Sequence, residues 1–181
     1  MRKAALTILL LLFTASLAYA VQETAWINYN SVEGRYNVSL PAQPKLATQE
    51  AASADGQKLL QHMASVQERD VIYQIGYFDL LPGTVFSLDN ARDGMVNAVK
   101  GTLVSERNIT FDGYSGRELN ISAKFQTTDY VLRVKFWSAE NRVYVLQVVY
   151  PKSGESEALS TNAAKYFDSF QILKNSPARQ E

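Results

Sequence analysis

The 181-residue sequence has no cysteine and one histidine, His62. The first absence removes disulfides, thiolate metal sites, cysteine nucleophiles and a lipid-modified cysteine together. The chain must then hold its fold by packing, which a core built from about 160 residues can do. The second absence leaves no imidazole cluster. A zinc site draws on several nitrogen or sulfur ligands, and a His-based triad would have to use His62 alone. His62 shares a predicted strand face with Leu60, Ala64 and Val66, so a partly buried structural role is expected. Charge of one sign is lacking too. Basic and acidic residues each number 18, and no run of five or six like charges marks a tail. Nucleic-acid binding calls for a concentrated positive surface, and none is evident. Acids at calcium-loop spacing around a glycine are also missing. No cofactor and no metal are expected.

Long apolar runs are confined to the start. Met1, Arg2 and Lys3 give a basic opening, residues 4–20 carry no charge, and Ala18-Tyr19-Ala20 places small residues where a signal peptidase reads. A spanning helix needs about 20 apolar residues, and this run is shorter. Residues 1–20 are therefore read as a cleavable secretory signal, the rival being an uncleaved anchor. Residues 21–181 are read as one domain, periplasmic or secreted, with no stable membrane insertion. The leader takes away two basic residues and no acids, which leaves a small acidic excess.

Along the rest, Tyr36, Val38 and Leu40 alternate with polar residues and predict a strand ended by Pro41 and Pro44. Residues 47–56, small and polar, predict a surface loop. Strands are expected over 58–68 and 71–79, the second with Tyr73, Ile75 and Tyr77 on one face and Ile72 and Phe78 on the other. After Pro82-Gly83, the spacing of Leu88, Ala91, Met95, Ala98, Val99 and Thr102 predicts a helix capped by Ser87. Gly94 and Gly101 on its shoulder are expected to allow close approach to the sheet. Asp112-Gly113 predicts a tight hairpin, followed by strands over 114–125, 130–138 and 142–150. The last is apolar on both faces and so is placed at the centre of the sheet. A second helix carries Leu159, Ala163, Tyr166, Phe167 and Phe170, and 171–173 adds a short strand. The fold class is α+β, one antiparallel sheet of about six strands with helices on both faces, an α/β/α sandwich.

Few residues carry candidate chemistry. Arg117 lies on the apolar strand face of Leu119 and Ile121. It needs a carboxylate or carbonyl partner there, as an internal ion pair or as an anion-binding group in a cleft. Asp89 and Asp93 share a helix face and are read as solvated helix-start acids, with paired-carboxylate chemistry as the rival. Trp26, Tyr29 and Tyr36 form a possible interaction patch, with closure of the core as the alternative. The Asn37-Val38-Ser39, Asn108-Ile109-Thr110 and Asn120-Ile121-Ser122 triplets match a glycan acceptor pattern. They fall inside predicted strands and are read as coincidence.

The run Trp26-x-x-Tyr29-x-Ser31-x-Glu33-Gly34-Arg35-Tyr36-x-Val38-x-Leu40-Pro41-x-x-Pro44 resembles exported bacterial proteins of the Mog1/PsbP-like class. So do Gly113-Tyr114-x-Gly116-Arg117-Glu118, Tyr150-Pro151 and Tyr166-Phe167-x-Ser169-Phe170. The resemblance implies a central antiparallel sheet between helical layers. It also points toward binding proteins, since the class includes an extrinsic photosynthetic subunit and a transport factor that binds a small GTPase. The metal-binding histidines of the photosynthetic branch have no counterpart here. Fold alone does not set function. The first functional reading is a non-catalytic extracytoplasmic binding or assembly-support module with a protein partner and no nucleic acid. The alternative is a small-ligand or lipid carrier with an apolar cavity between sheet and helix. A carboxylate hydrolase stands third.

Overall fold

The computed structural model describes residues 25–52 and 58–173. The leader expected at residues 1–20 lies outside them. The chain runs β1 (Ile27–Ser31), β2 (Tyr36–Leu40), β3 (Lys45–Ala52), β4 (Lys58–Glu68), β5 (Val71–Asp79), α1 (Leu88–Ala98), β6 (Thr102–Phe111), β7 (Tyr114–Phe125), β8 (Thr128–Ala139), β9 (Arg142–Pro151), α2 (Glu157–Asp168) and β10 (Gln171–Ile172). Seven strands form one antiparallel sheet in the order β3-β4-β5-β9-β8-β7-β6. The other three, β1-β2-β10, make a small separate sheet.

The expectation of about six strands in one sheet is corrected in two places. Residues 45–52 form the edge strand β3 where the sequence predicts a loop from residue 47. β3 pairs only with β4, and its Leu46 is largely exposed. Residues 45–50 are all exposed, which leaves no alternation to read. The second correction moves β2 out of the main sheet. Its apolar face is as expected, with Tyr36, Val38 and Leu40 buried, but its partners are β1 and β10.

β9 is the middle strand of the seven, and its residues 142–146 are all buried. Its side chains feed two apolar clusters in alternation. Tyr144, Leu146, Val148 and Tyr150 join Tyr36, Val38, Leu40, Tyr73 and Ile75, together with Leu159, Ala163, Tyr166 and Phe167 of α2. Val143 and Val145 join Leu119, Ile121, Leu132, Val134 and Phe136, against which Leu88, Ala91, Met95 and Val99 pack. Two-residue turns hold the meander in register. Asp112 (φ 53°) and Gly113 (φ 87°) both take the left-handed conformation that such a hairpin turn requires.

Helix α1 stops at Ala98, short of the Thr102 that the spacing predicts, and Lys100 at φ 49° turns the chain into β6. Gly101 therefore sits outside the helix, where a Cβ would come within 2.7 Å of the Ile121 side chain. The close approach expected of it is present. At Gly94 it is not: a Cβ there would meet nothing within 4 Å.

Candidate functional site

Gly94, itself exposed, lies on the edge of a cleft. From the end of β5 the chain crosses residues 80–87, tied down where Leu80 N–H donates to Asn141 O at 2.6 Å. It then enters α1 at Ser87, whose Oγ accepts from Asn90 N–H. The apolar stripe of α1 faces the sheet, yet no residue of α1 is fully buried. The helix rests off the sheet and leaves a cavity of about 760 Å³ between them. Its floor comes from β5, β9 and β8 through Gly76, Phe78, Val143, Val145, Leu132 and Val134. Its roof is the 80–87 loop with Ala91, Gly94, Met95 and Val99. Among the described residues, no charged side chain lines it. At the lip, Val85 is 91% exposed and Leu81 is 41% exposed, so the mouth is apolar as well.

Three amides interrupt the apolar floor. Gln74 and Gln147 are direct cross-strand partners on β5 and β9, and both line the cavity. Neither side-chain amide has a hydrogen-bond partner among the described residues. Gln61 is oriented by Gln49, whose Nε2 donates to its Oε1 at 2.9 Å. That leaves the Gln61 Nε2 over Gly76, 3.3 Å from where a Cβ would stand. The sequence carries a signal for this site. In Ile72-x-Gln74-x-Gly76-x-Phe78 and Val143-x-Val145-x-Gln147-x-Val149, a glutamine interrupts an apolar face on each of two neighbouring strands.

Arg117 stands beside this region in an ion-pair cluster. Its Nη2 is 2.7 Å from Asp89 Oδ1 and its Nη1 is 3.1 Å from Glu106 Oε2. Arg92 joins the same acids and also pairs with Asp93 at 2.8 Å. Of the two readings of Arg117, the geometry is that of the ion pair, and it moors the first turn of α1 to β6 and β7. Hydrogen bonding to Asp93 and Glu106 raises Arg92 above its usual value, and Arg92 in turn holds Asp93 below the ordinary carboxylate range. A general acid needs the opposite shift. Asp89 and Asp93 are both mostly exposed, and neither lines the cleft.

The three aromatic candidates lie by the other cluster. Tyr36 is 2% exposed and rings with Tyr77, Tyr144 and Phe170. That burial removes it from any surface patch, a correction to the interaction reading. Trp26 is half-buried, edge-on to Tyr73 at 5.5 Å with Lys165 Nζ over its ring. Tyr29 packs on Tyr36. His62 stacks on Tyr77 at 4.8 Å, with Glu33 Oε1 3.8 Å from its Nδ1. Burial pushes the Tyr73 and Tyr77 hydroxyls up to about 12.

No family model matches the sequence, and no curated protein matches it. Solved structures do match. Cyanobacterial PsbP (CyanoP) from Synechocystis sp. PCC 6803 superposes with a TM-score of 0.57 at 10% identity, over 84% of this chain and 95% of that one. The Saccharomyces cerevisiae Ran-binding protein Mog1p superposes with a TM-score of 0.51 at 8% identity, over 83% and 97%. The fold is Mog1/PsbP-like. At such identities the likeness of this Mog1/PsbP-like chain to both proteins is one of fold alone. Among the described residues, no helix is long and apolar enough to cross a membrane. None of the clusters of acids and His62 there could hold a metal ion.

Proposed function

We propose that this protein is an extracytoplasmic, non-catalytic binding protein that takes a small apolar molecule into the cleft between α1 and the sheet. The observation that carries the reading is the cavity of about 760 Å³, whose described lining carries no charge. Small-molecule sites span roughly 300–1,000 Å³ and combine apolar walls with a few placed polar groups. Gly94 adds to it. A glycine inside a helix costs about 1 kcal/mol against alanine, and no packing contact offsets that cost here. Room for a ligand is a reason to keep the position empty. We read the two apolar clusters as the two covered faces of one layer, helix–sheet–helix, with the cleft under the more loosely seated helix. Export rests on the leader pattern of residues 1–20. A protein partner is supported by analogy of fold with Mog1p, a Ran-binding protein; the cleft is a feature of this chain.

The test is a fluorescence titration with N-phenyl-1-naphthylamine, a neutral dye that brightens in apolar sites. Saturable binding is expected for the wild type and for Gly94→Ala. Gly94→Leu, which projects a side chain into open space, should bind at least tenfold more weakly while its circular dichroism stays unchanged. Equal dye affinity in the Gly94→Leu protein sinks the reading.

A further inference from the structure

We infer that the cleft selects neutral amphiphiles, seating a hydroxyl- or carbonyl-bearing head on the amides of Gln74 and Gln147 and an uncharged body beneath α1. This rests on the ligand-binding reading above and adds the chemical class of the ligand. With no charged side chain in the lining among the described residues, a carboxylate or ammonium carried inside would lose its hydration without a counter-ion there, which is far costlier than burying a neutral polar group. The nearby arginines give no relief, since Arg92 and Arg117 are engaged by Asp89, Asp93 and Glu106.

Each glutamine amide offers both a donor and an acceptor. Side by side across β5 and β9, the two present a mixed face that a hydroxyl, ester or amide can satisfy. Left unpaired under a purely apolar ligand, these groups would be desolvated without compensation. The floor then changes character along β5. From Gln74 to Phe78 is four residues, about 13 Å of strand, and it passes from amides across the buried Gly76 to Phe78 and its cross-strand partner Val143. The Gln61 Nε2, turned over Gly76 by Gln49, lies between the two ends. A molecule with one neutral polar end and one apolar end matches that gradient.

The experiment displaces N-phenyl-1-naphthylamine from the full chain at neutral pH with 1-monolauroylglycerol, laurate or dodecyltrimethylammonium, each kept below its micelle concentration. The monoacylglycerol is expected to displace the dye at concentrations at least tenfold below either ion. In the Gln74→Leu/Gln147→Leu double variant, with each displacing concentration read against that variant's own dye affinity, the preference should be lost and the three concentrations converge. Equal displacement by all three amphiphiles, or a preference that survives in the double variant, overturns the inference and leaves the cleft reading standing. Failure of the wild type to bind dye overturns both. If circular dichroism shows the double variant unfolded, the ranking on the wild type decides the matter.

Discussion

The guanidinium of Arg142 grips the Asp79 carboxylate at both oxygens, Nε to Oδ1 at 2.6 Å and Nη2 to Oδ2 at 2.8 Å. The same guanidinium donates from Nη1 to Glu33 O at 2.7 Å and covers the Tyr77 ring. Arg142 thus links three parts of the fold: its own central strand, the end of β5 and the β1–β2 turn. The Tyr144 hydroxyl reinforces the link by donating to Gly34 O at 2.9 Å.

This pair is expected to make stability fall in acid. Hydrogen bonding to Arg142 holds Asp79 below its ordinary value of 3.8. A carboxylate with a lowered folded-state pKa stabilises the fold above its unfolded value, and that contribution is lost as pH falls through the folded one. Asp79→Asn should therefore cost about 1–3 kcal/mol at neutral pH, toward the lower end because half of the Asp79 side chain meets solvent. The gap to wild type should close as pH drops below about 4. Urea unfolding at a series of pH values checks this, and a gap that stays constant into acid counts against it.

Base should act through the tyrosines. Burial is the main reason why the hydroxyls of Tyr36, Tyr73, Tyr77, Tyr144, Tyr150 and Tyr166 lie above their ordinary value of 10.0. With folded-state values raised, their contribution is whole below pH 10 and drains away as pH climbs toward the folded values, about 12 for Tyr73 and Tyr77. Spectrophotometric titration should show these six ionising late, in one step that coincides with loss of near-ultraviolet dichroism. Independent titration of all six near pH 10 in folded protein would be the contrary result.

Gly116 is a packing position. It sits across from Ile109 on one side and Trp137 on the other, and a Cβ there would run into the Phe136 carbonyl oxygen and the Trp137 ring. Gly116→Ala should lower stability by about 3 kcal/mol through overpacking. Gly154→Ala, where a Cβ meets nothing within 4 Å, is the control and should leave the melting temperature nearly unchanged.

Arg117 should behave as a mooring for α1. Arg117→Met is expected to cost about 1–2 kcal/mol, with a coupling to Asp89→Asn of about 0.5–1 kcal/mol that shrinks in high salt, because Asp89 is mostly exposed. Binding of the neutral dye should persist in Arg117→Met. A double-mutant cycle read by urea unfolding gives the coupling, and a value near zero at low salt would detach Arg117 from α1.

What could be read in the chain divides along burial. Residues 143–150, apolar on both sides but for Gln147, already imply a central strand, because a strand covered on both faces keeps such a pattern. Ser87 before Leu88 and Asp112 before Gly113 are local signals, and the helix cap and the hairpin turn follow from them. β3 escaped because an edge strand need bury neither face, and Leu46 does not. Arg142 escaped because Asp79 is 63 residues away in sequence, and no spacing pattern reports a partner at that distance.

The amino-acid order by itself settled the properties that neighbours along the chain impose: alternation, helical spacing, turn chemistry, and the exclusion of thiol and multi-histidine chemistry. Tertiary structure alone decided that β2 pairs with β1 and β10 outside the main sheet, that Tyr36 is core, and that a cavity lies between α1 and the sheet. These depend on how far one packed layer stands from the next. The gap between α1 and the sheet is the sum of many contacts between distant residues, and no local pattern encodes its width.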